Sequence, residues 1–545
     1  MPHPKRPSRR RRIRGEQGYI LIVTALLIVP LVVFTGFGVD LGSWYAQAAK
    51  QQRAVDAASL AGVVQLPSQS NATTAALASL KANGYVFTSC GTGTTVNAGT
   101  PCAFSFPSST GQEMTVTLYQ PANIYFAGAA GLHSQSLTRS ATAVYNLHIP
   151  LGSPTNTFGN DPTRSGSQPS LWGAINGPYS NHEDGDPYAT KCAGENKTAT
   201  SCDTVDSKGV TVTNPNAQYN PDGYLWGIDI PAGDAGSNVT VSIYDPAFGP
   251  TSDLNENYSG ANTGFSTSYQ LFKSTGSYAD IETTQNLGMN SVANGPTGGT
   301  QGLNLCTGGT LGYKVFPAGT TSQDAWYALC TFAVPAAWAG GIYPLQVKTS
   351  AIPGVTDIGT GYNAYSVKAV ASVASPQPSV YGLNNLSIWT PSATTSRFYL
   401  ASIGPQYAGH TLVVDLYDPG DGNSGNYYMQ FLAPPSGSPA YVPSTGTAVG
   451  CYYSAPAATI GGQPASTYSS TCNIQTRSGN TNIYNERWLR VQITIPTTAT
   501  THCTNGPPAD TTDCWWTIKY TFGGTPTDRT VWVVNVLGDP VHLIQ

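Results

Sequence analysis

The stretch from Tyr19 to Val39 contains no charged residue. As a helix rising about 1.5 Å per residue it would be about 31 Å long, which matches a hydrocarbon core of about 30 Å. Lys5, Arg6, Arg9, Arg10, Arg11, Arg12 and Arg14 precede it, and the first charge beyond it is acidic, Asp40. An excess of bases on one flank places that flank in the cytoplasm, so everything after Asp40 is expected outside. Trp44 and Tyr45 fall where aromatic rings favour the membrane interface, and Pro30 is expected to bend the span. Ala46-Gln47-Ala48 could serve as a signal-peptide cleavage site. The apolar run is longer than the roughly 7–15 residues of a signal core, so the expectation is a retained anchor. Helical character continues from Asp40 to Val64, where Leu41, Tyr45, Ala48, Gln52, Val55 and Leu60 loosely share a face, and Pro67 should end it.

Composition limits the rest. Charged residues are 10% of the chain, against roughly 25% in an average soluble domain. The net charge of -4 hides a basic tail before an acidic remainder. Basic charge confined to one short tail excludes a general nucleic-acid binder. With 31 Tyr and 10 Trp the chain has the apolar area to fold. With 59 Gly and 40 Pro it should do so as turn-rich strands.

Several N-terminal residues form an ordered set. They are Arg14-Gly15-Glu16 and Gly18, then after the apolar run Val39-Asp40, Gly42, Tyr45, Gln52, Ala54, Asp56-Ala57-Ala58 and Leu60-Ala61-Gly62. A second set follows: Val116-Thr117, Phe126, Gly131 and Ala141-Thr142-Ala143. Together they resemble the N-terminal region of TadE/TadG-like Flp pilus-assembly proteins, over residues 14–145. The resemblance implies a strand, short helix and strand in the second set. It also implies a membrane-anchored, non-catalytic accessory of a tight-adherence pilus system, with other pilus-assembly membrane proteins or pilins as partners. Longer TadG-like proteins often carry a von Willebrand-type domain with an Asp-x-Ser-x-Ser metal motif. Asp161-Pro162-Thr163-Arg164-Ser165 is the nearest stretch here, and without a preceding apolar strand it reads as a loop.

The ten cysteines lie beyond the span in five local pairs: Cys90/Cys102, Cys192/Cys202, Cys306/Cys330, Cys451/Cys472 and Cys503/Cys514. In an oxidising compartment an even count reads as disulfides, adjacent pairing being the simplest connectivity. Beyond residue 150 an internal repeat appears. Val239-Thr240-Val241-Ser242-Ile243-Tyr244-Asp245-Pro246 matches Leu412-Val413-Val414-Asp415-Leu416-Tyr417-Asp418-Pro419. Both alternate with period two into a Tyr-Asp-Pro turn. Matching strands begin at Trp326 and Trp488, and each copy closes on an alternating strand, Asn363–Val367 or Thr530–Val534. The expected fold is therefore mainly β. It comprises a tail (1–17), a transmembrane helix with its extension (18–66), a small α+β pilin-like region (67–150), and two antiparallel β-sandwich modules (151–375 and 376–545).

Catalytic signatures are missing: the sequence has no His-Glu-x-x-His, no Gly-x-Ser-x-Gly and no phosphate-binding Gly-x-x-x-x-Gly-Lys loop. No enzyme and no organic cofactor are expected. Two loops offer oxygens of the kind calcium takes. One holds Glu183, Asp184 and Asp186, the other Asp418, Asp421 and Asn423. Ordinary turns use the same residue types. Trp172, Trp226, Trp326, Trp338, Trp515 and Trp516 could stack on sugars, or fill sandwich cores. Period two places the rings of Trp515 and Trp516 on opposite faces, so one is expected to be exposed. A cell-surface adhesin or glycan binder on the same anchor is the alternative to the pilus role.

Overall fold

The computed structural model describes residues 17–65, 69–106, 113–145, 149–193, 202–205, 210–247, 265–272, 306, 312–316, 324–336, 339–349, 359, 361–383, 385–390, 395–404, 407–434, 440–460, 463–496, 514–537 and 541–544. The basic tail, Pro67, Trp338, Cys503 and the side chain of Glu183 lie outside the described parts. The chain divides into a unit of residues 1–145 with 541–545, and a unit of residues 146–540.

In the first unit, helix α1 (Gln17–Val63) runs unbroken from the apolar stretch into its Ala- and Gln-rich extension, with Pro30 inside it. The extension buries Ala54, Val55, Ala58 and Val63, small residues that let other elements approach closely. Helix α2 (Gln69–Ala82) buries Ala72, Ala76 and Leu80, a four-residue spacing that puts all three on one face. It ends where Gly84 takes a positive φ of 88° and Tyr85 donates back to the Leu80 carbonyl, a conformation glycine adopts without a Cβ penalty. The five-stranded sheet runs Gly91–Thr92, Cys102–Ser105, Glu113–Pro121, Ser136–Tyr145 and Val541–Ile544. Between Glu113–Pro121 and Ser136–Tyr145 lies a short 3-10 helix, Ala127–Ala130, the strand, helix and strand that the resemblance implied. The edge strand comes from far along the chain. Val541 pairs with Tyr145 and Ile544 with Thr142, antiparallel, so the second unit is an insertion between two neighbouring strands of the first.

The second unit shows the repeat as a duplicated sandwich. In the first copy one sheet runs Trp326–Ala333, Asn238–Tyr244, Tyr362–Ala371 and Trp172–Asn176. In the second copy the order is Trp488–Thr494, Thr411–Tyr417, Arg529–Leu537 and Asn385–Trp389. The facing layers correspond as well. Tyr313–Phe316, Thr267–Leu271, Gly341–Lys348 and Tyr224–Ile230 match Asn473–Ser478, Tyr427–Ala433, Trp515–Thr521 and Thr395–Ser402. Both Tyr-Asp-Pro turns place their aspartate in the left-handed region, Asp245 at φ 52° and Asp418 at φ 54°.

The copies are not separate beads. Trp172–Asn176 pairs with Asn385–Trp389 through Gly173–Ile388 and Trp172–Trp389, joining the two larger sheets into one of eleven strands. Ser379–Leu383, beyond the boundary drawn at residue 375, pairs with Tyr224–Ile230 of the first copy. One buried apolar cluster runs through both copies and includes Trp226, Ile388, Phe398 and Trp532, with the Phe398 and Trp532 rings stacked at 5.5 Å. Trp515 and Trp516 are both only 1% exposed, contrary to the expectation of one exposed ring. Trp516 enters the core. Trp515 on the opposite face lies edge-on to Tyr399, whose hydroxyl donates to the Ala440 carbonyl, so a loop covers that face too.

Disulfides link Cys90–Cys102, Cys192–Cys202, Cys306–Cys330 and Cys451–Cys472, each an adjacent pair as expected. The fifth expected pairing, Cys503 with Cys514, differs from these four: it falls outside the described residues, because Cys503 does. Cys514 itself is described. It is buried at the start of strand Trp515–Thr521, and its carbonyl accepts the Ile403 N–H at 2.9 Å. No described cysteine is free.

Candidate functional site

Two places bring polar side chains together with purpose: the point where α1 leaves its exposed half, and the seam between the two sandwich copies.

The first half of α1 exposes its apolar residues, Leu21 at 72% and Phe34 at 77%. It is the one described helix long and apolar enough to cross a membrane. The character changes at Asp40, which is fully buried. Its carboxylate accepts the backbone N–H groups of Tyr125 and Phe126, each at 2.9 Å, and that of Ala127. These donors stand at the start of the 3-10 helix, where backbone N–H groups lack partners within the helix. Burial opposes ionisation of Asp40, but the three bonds outweigh it and hold the carboxyl below its usual range. One turn earlier, Gly36 admits Phe126 so closely that a Cβ there would lie 2.7 Å from the Phe126 Cβ. Beyond Asp40, Trp44 Nε1 donates to the Asn123 carbonyl at 2.6 Å. Gln47 donates to Pro121 and accepts from Asn123, and Gln51 donates to the Leu118 carbonyl at 2.6 Å. Residues 40, 44, 47 and 51 recur at helical spacing, so a single polar stripe fastens α1 to its head. Sequence reading took Asp40 as the first charge past the span and as one residue of the TadE/TadG-like set, without a structural role. Its place in a run with Trp44, Gln47 and Gln51 was the available signal.

At the seam, the structure separates the residues of the first candidate loop. Asp186 is fully buried and satisfied, accepting from Asn176 N, Tyr188 N, Ala189 N and the Tyr224 hydroxyl. It is a hub of the fold, with partners other than those of Asp184. Burial raises its pKa against those four bonds. Asp184 instead reaches the second copy: Arg529 Nη2 donates to its Oδ1 at 2.8 Å and Nε to its carbonyl at 2.6 Å. The Arg529 guanidinium also lies 4.2 Å over the Tyr362 ring. Next to Asp184, His182 meets the Tyr417 hydroxyl at 2.7 Å, and burial pulls its pKa down to about 4.

Asp418 and Asp421 come together, linked by one amide. Asn482 Nδ2 donates to Asp421 Oδ1 at 2.7 Å and to Asp418 Oδ1 at 3.3 Å. The Glu486 N–H also donates to Asp418 Oδ1. Asn423 is exposed at the rim. A residue that sequence reading missed completes the group: Asp528, fully buried, accepts from Gly420 N and Asp421 N, and from the Tyr520 hydroxyl. Burial, then the charge of Asp421, pushes Asp418 and Asp528 well above the usual carboxyl range. Arg477 turns its donors to the carbonyls of Gly420, Gly479 and Asn480. Asp161 of the loop with the degenerate metal-like spacing bonds Thr163, Trp326 and Lys368, which accounts for its carboxylate as a turn and an ion pair.

Comparison with known proteins bears on the first of these places. Residues 18–65 match the family model described as putative Flp pilus-assembly TadE/G-like. The match covers α1 from its exposed half through Asp40 and the polar stripe. No curated protein matches the chain. Among solved structures, the crystal structure of infectious bursal disease virus VP2 subviral particle aligns at 12% identity. It covers 73% of this chain and 81% of that one with a TM-score of 0.08, and carries no argument about fold.

Proposed function

We propose that this chain is a single-pass, extracytoplasmic and non-catalytic accessory of a Flp (Tad) pilus-assembly system. The observation that carries the reading is the TadE/G-like match over residues 18–65, on a helix whose first half is apolar and exposed while its second half is fastened to a folded head. The exposed half inserts in the cell membrane with the basic tail in the cytoplasm. Residues 146–540 are then extracytoplasmic and meet pilins or other assembly proteins. Photocrosslinkers placed at Leu26 and Phe34 should capture Flp-system membrane proteins, and deletion of the gene should abolish Flp pili. Normal piliation in the deletion strain, together with no crosslinked pilus component, would overturn the proposal. A phosphatase fused after residue 545 should be active only if that end lies outside the cytoplasm.

A glycan-binding role draws support from one feature. Tyr452 and Tyr468 are directly paired across two strands, 51% and 60% exposed, with ring centroids 5.2 Å apart. Trp172, Trp226, Trp515 and Trp516 are buried, so this reading rests on the tyrosine pair. A glycan array probed with the wild-type chain and with Y452A/Y468A decides it: no binding, or binding unchanged by the double substitution, removes this reading.

A further inference from the structure

Asp418, Asp421 and Asp528 sit where water is largely excluded, and among the described residues none of the three forms an ion pair. Arg529 directs its donors to Asp184, and Arg477 directs its own to backbone carbonyls. Asp528 is satisfied by the Gly420 and Asp421 amides and by Tyr520. Asp418 is not. Its Oδ1 has the Asn482 and Glu486 donors, while its Oδ2 is buried with no hydrogen-bond partner. Glu486, whose N–H holds Asp418, likewise has a buried Oε1 with none. A carboxylate oxygen can only accept, and an unmatched buried one is strongly unfavourable. With Asp184 included, four carboxyl groups stand beside the two guanidiniums of Arg477 and Arg529.

We propose that this seam binds one divalent, oxygen-seeking cation of the calcium type, held by the Asp418 and Asp421 carboxylates. Asp528 already has its donors, which leaves two carboxylates rather than three for the ion. Hard cations complete such a shell with backbone carbonyls and water. The ion would neutralise the charge beside Asp184 and Arg529, and so fasten the loop of the first copy to the second.

The test uses the full chain in detergent, stripped with EDTA and titrated with calcium chloride while heat of binding and melting temperature are followed. Calcium at about 100 times its Kd should raise the melting temperature by about 3–5 °C. D418N should abolish both the heat and the rise, and the variant should still fold, because Asn accepts the positive φ at this position. N423A, altering an exposed side chain, should keep both. Absence of a calcium heat, or a response unchanged in D418N, overturns the proposal. So does stability that ignores calcium but falls as pH rises from 5 to 8 and loses that dependence in D418N, which would make a shared proton the neutralising species.

Discussion

Replacing Arg529 by methionine keeps the apolar stem of the side chain and removes only the guanidinium. Two charge-assisted bonds to Asp184 disappear, at 2.8 and 2.6 Å, along with the contact 4.2 Å above Tyr362. Bonds to charged groups are worth about 1.5–3 kcal/mol each, and a desolvated cation over an aromatic ring about 2. The Asp184 side chain is 40% exposed, so solvent screens its share and the lower values apply. The expected loss is then about 3–4 kcal/mol. For a unit spanning residues 146–540, at roughly 1.2 °C per kcal/mol, the melting temperature should drop by about 4–5 °C. Scanning fluorimetry of the detergent-solubilised chain measures it, alongside D184N and the double variant. If the seam works as described, the double variant should lose clearly less than the two single losses added together. A drop under about 1 °C for R529M, or strict additivity, would refute the argument that this pair ties the copies together.

Three further outcomes are expected. Asp40 has its folded-state pKa depressed, so the stability it confers is present above its unfolded value and is lost as pH falls through the folded one. A fluorescence probe on α1 should therefore report loosening from the head only below about pH 4; D40N should be loose already at pH 7, and identical behaviour of the two proteins defeats the assignment. Deleting residues 541–545 should remove hydrogen-exchange protection from the Thr142–Tyr145 amides that pair with that strand; unchanged protection would mean the pairing is not formed in solution. Opening the Cys451–Cys472 bridge, which spans 21 residues, with C451A/C472A should destabilise the second copy by about 3 kcal/mol, seen as earlier unfolding in urea.

The repeat was legible because alternation and a Tyr-Asp-Pro turn are local signals. Residues 239–246 and 412–419 each carry the whole pattern, and the structure gives their aspartates the same left-handed turn. The long apolar helix was legible for the same reason, since an uncharged run needs no partner to be recognised. What joins the copies was not legible. Trp172–Asn176 meets Asn385–Trp389 through backbone pairing, which any side-chain sequence can supply. Asp184 and Arg529 are 345 residues apart, and nothing near either residue names the other. Asp528 lay outside every motif because its role depends on a fold that brings Gly420, Asp421 and Tyr520 to it.

The edge strand Val541–Ile544 also sets a timetable. Residues 146–540 are made between Tyr145 and the strand that pairs with it. At synthesis rates of about 5–20 residues per second, that delay is about 20–80 s. Throughout it, the sheet of the first unit waits with one side of Ser136–Tyr145 unpaired. Its closure thus waits until the whole insert has been made.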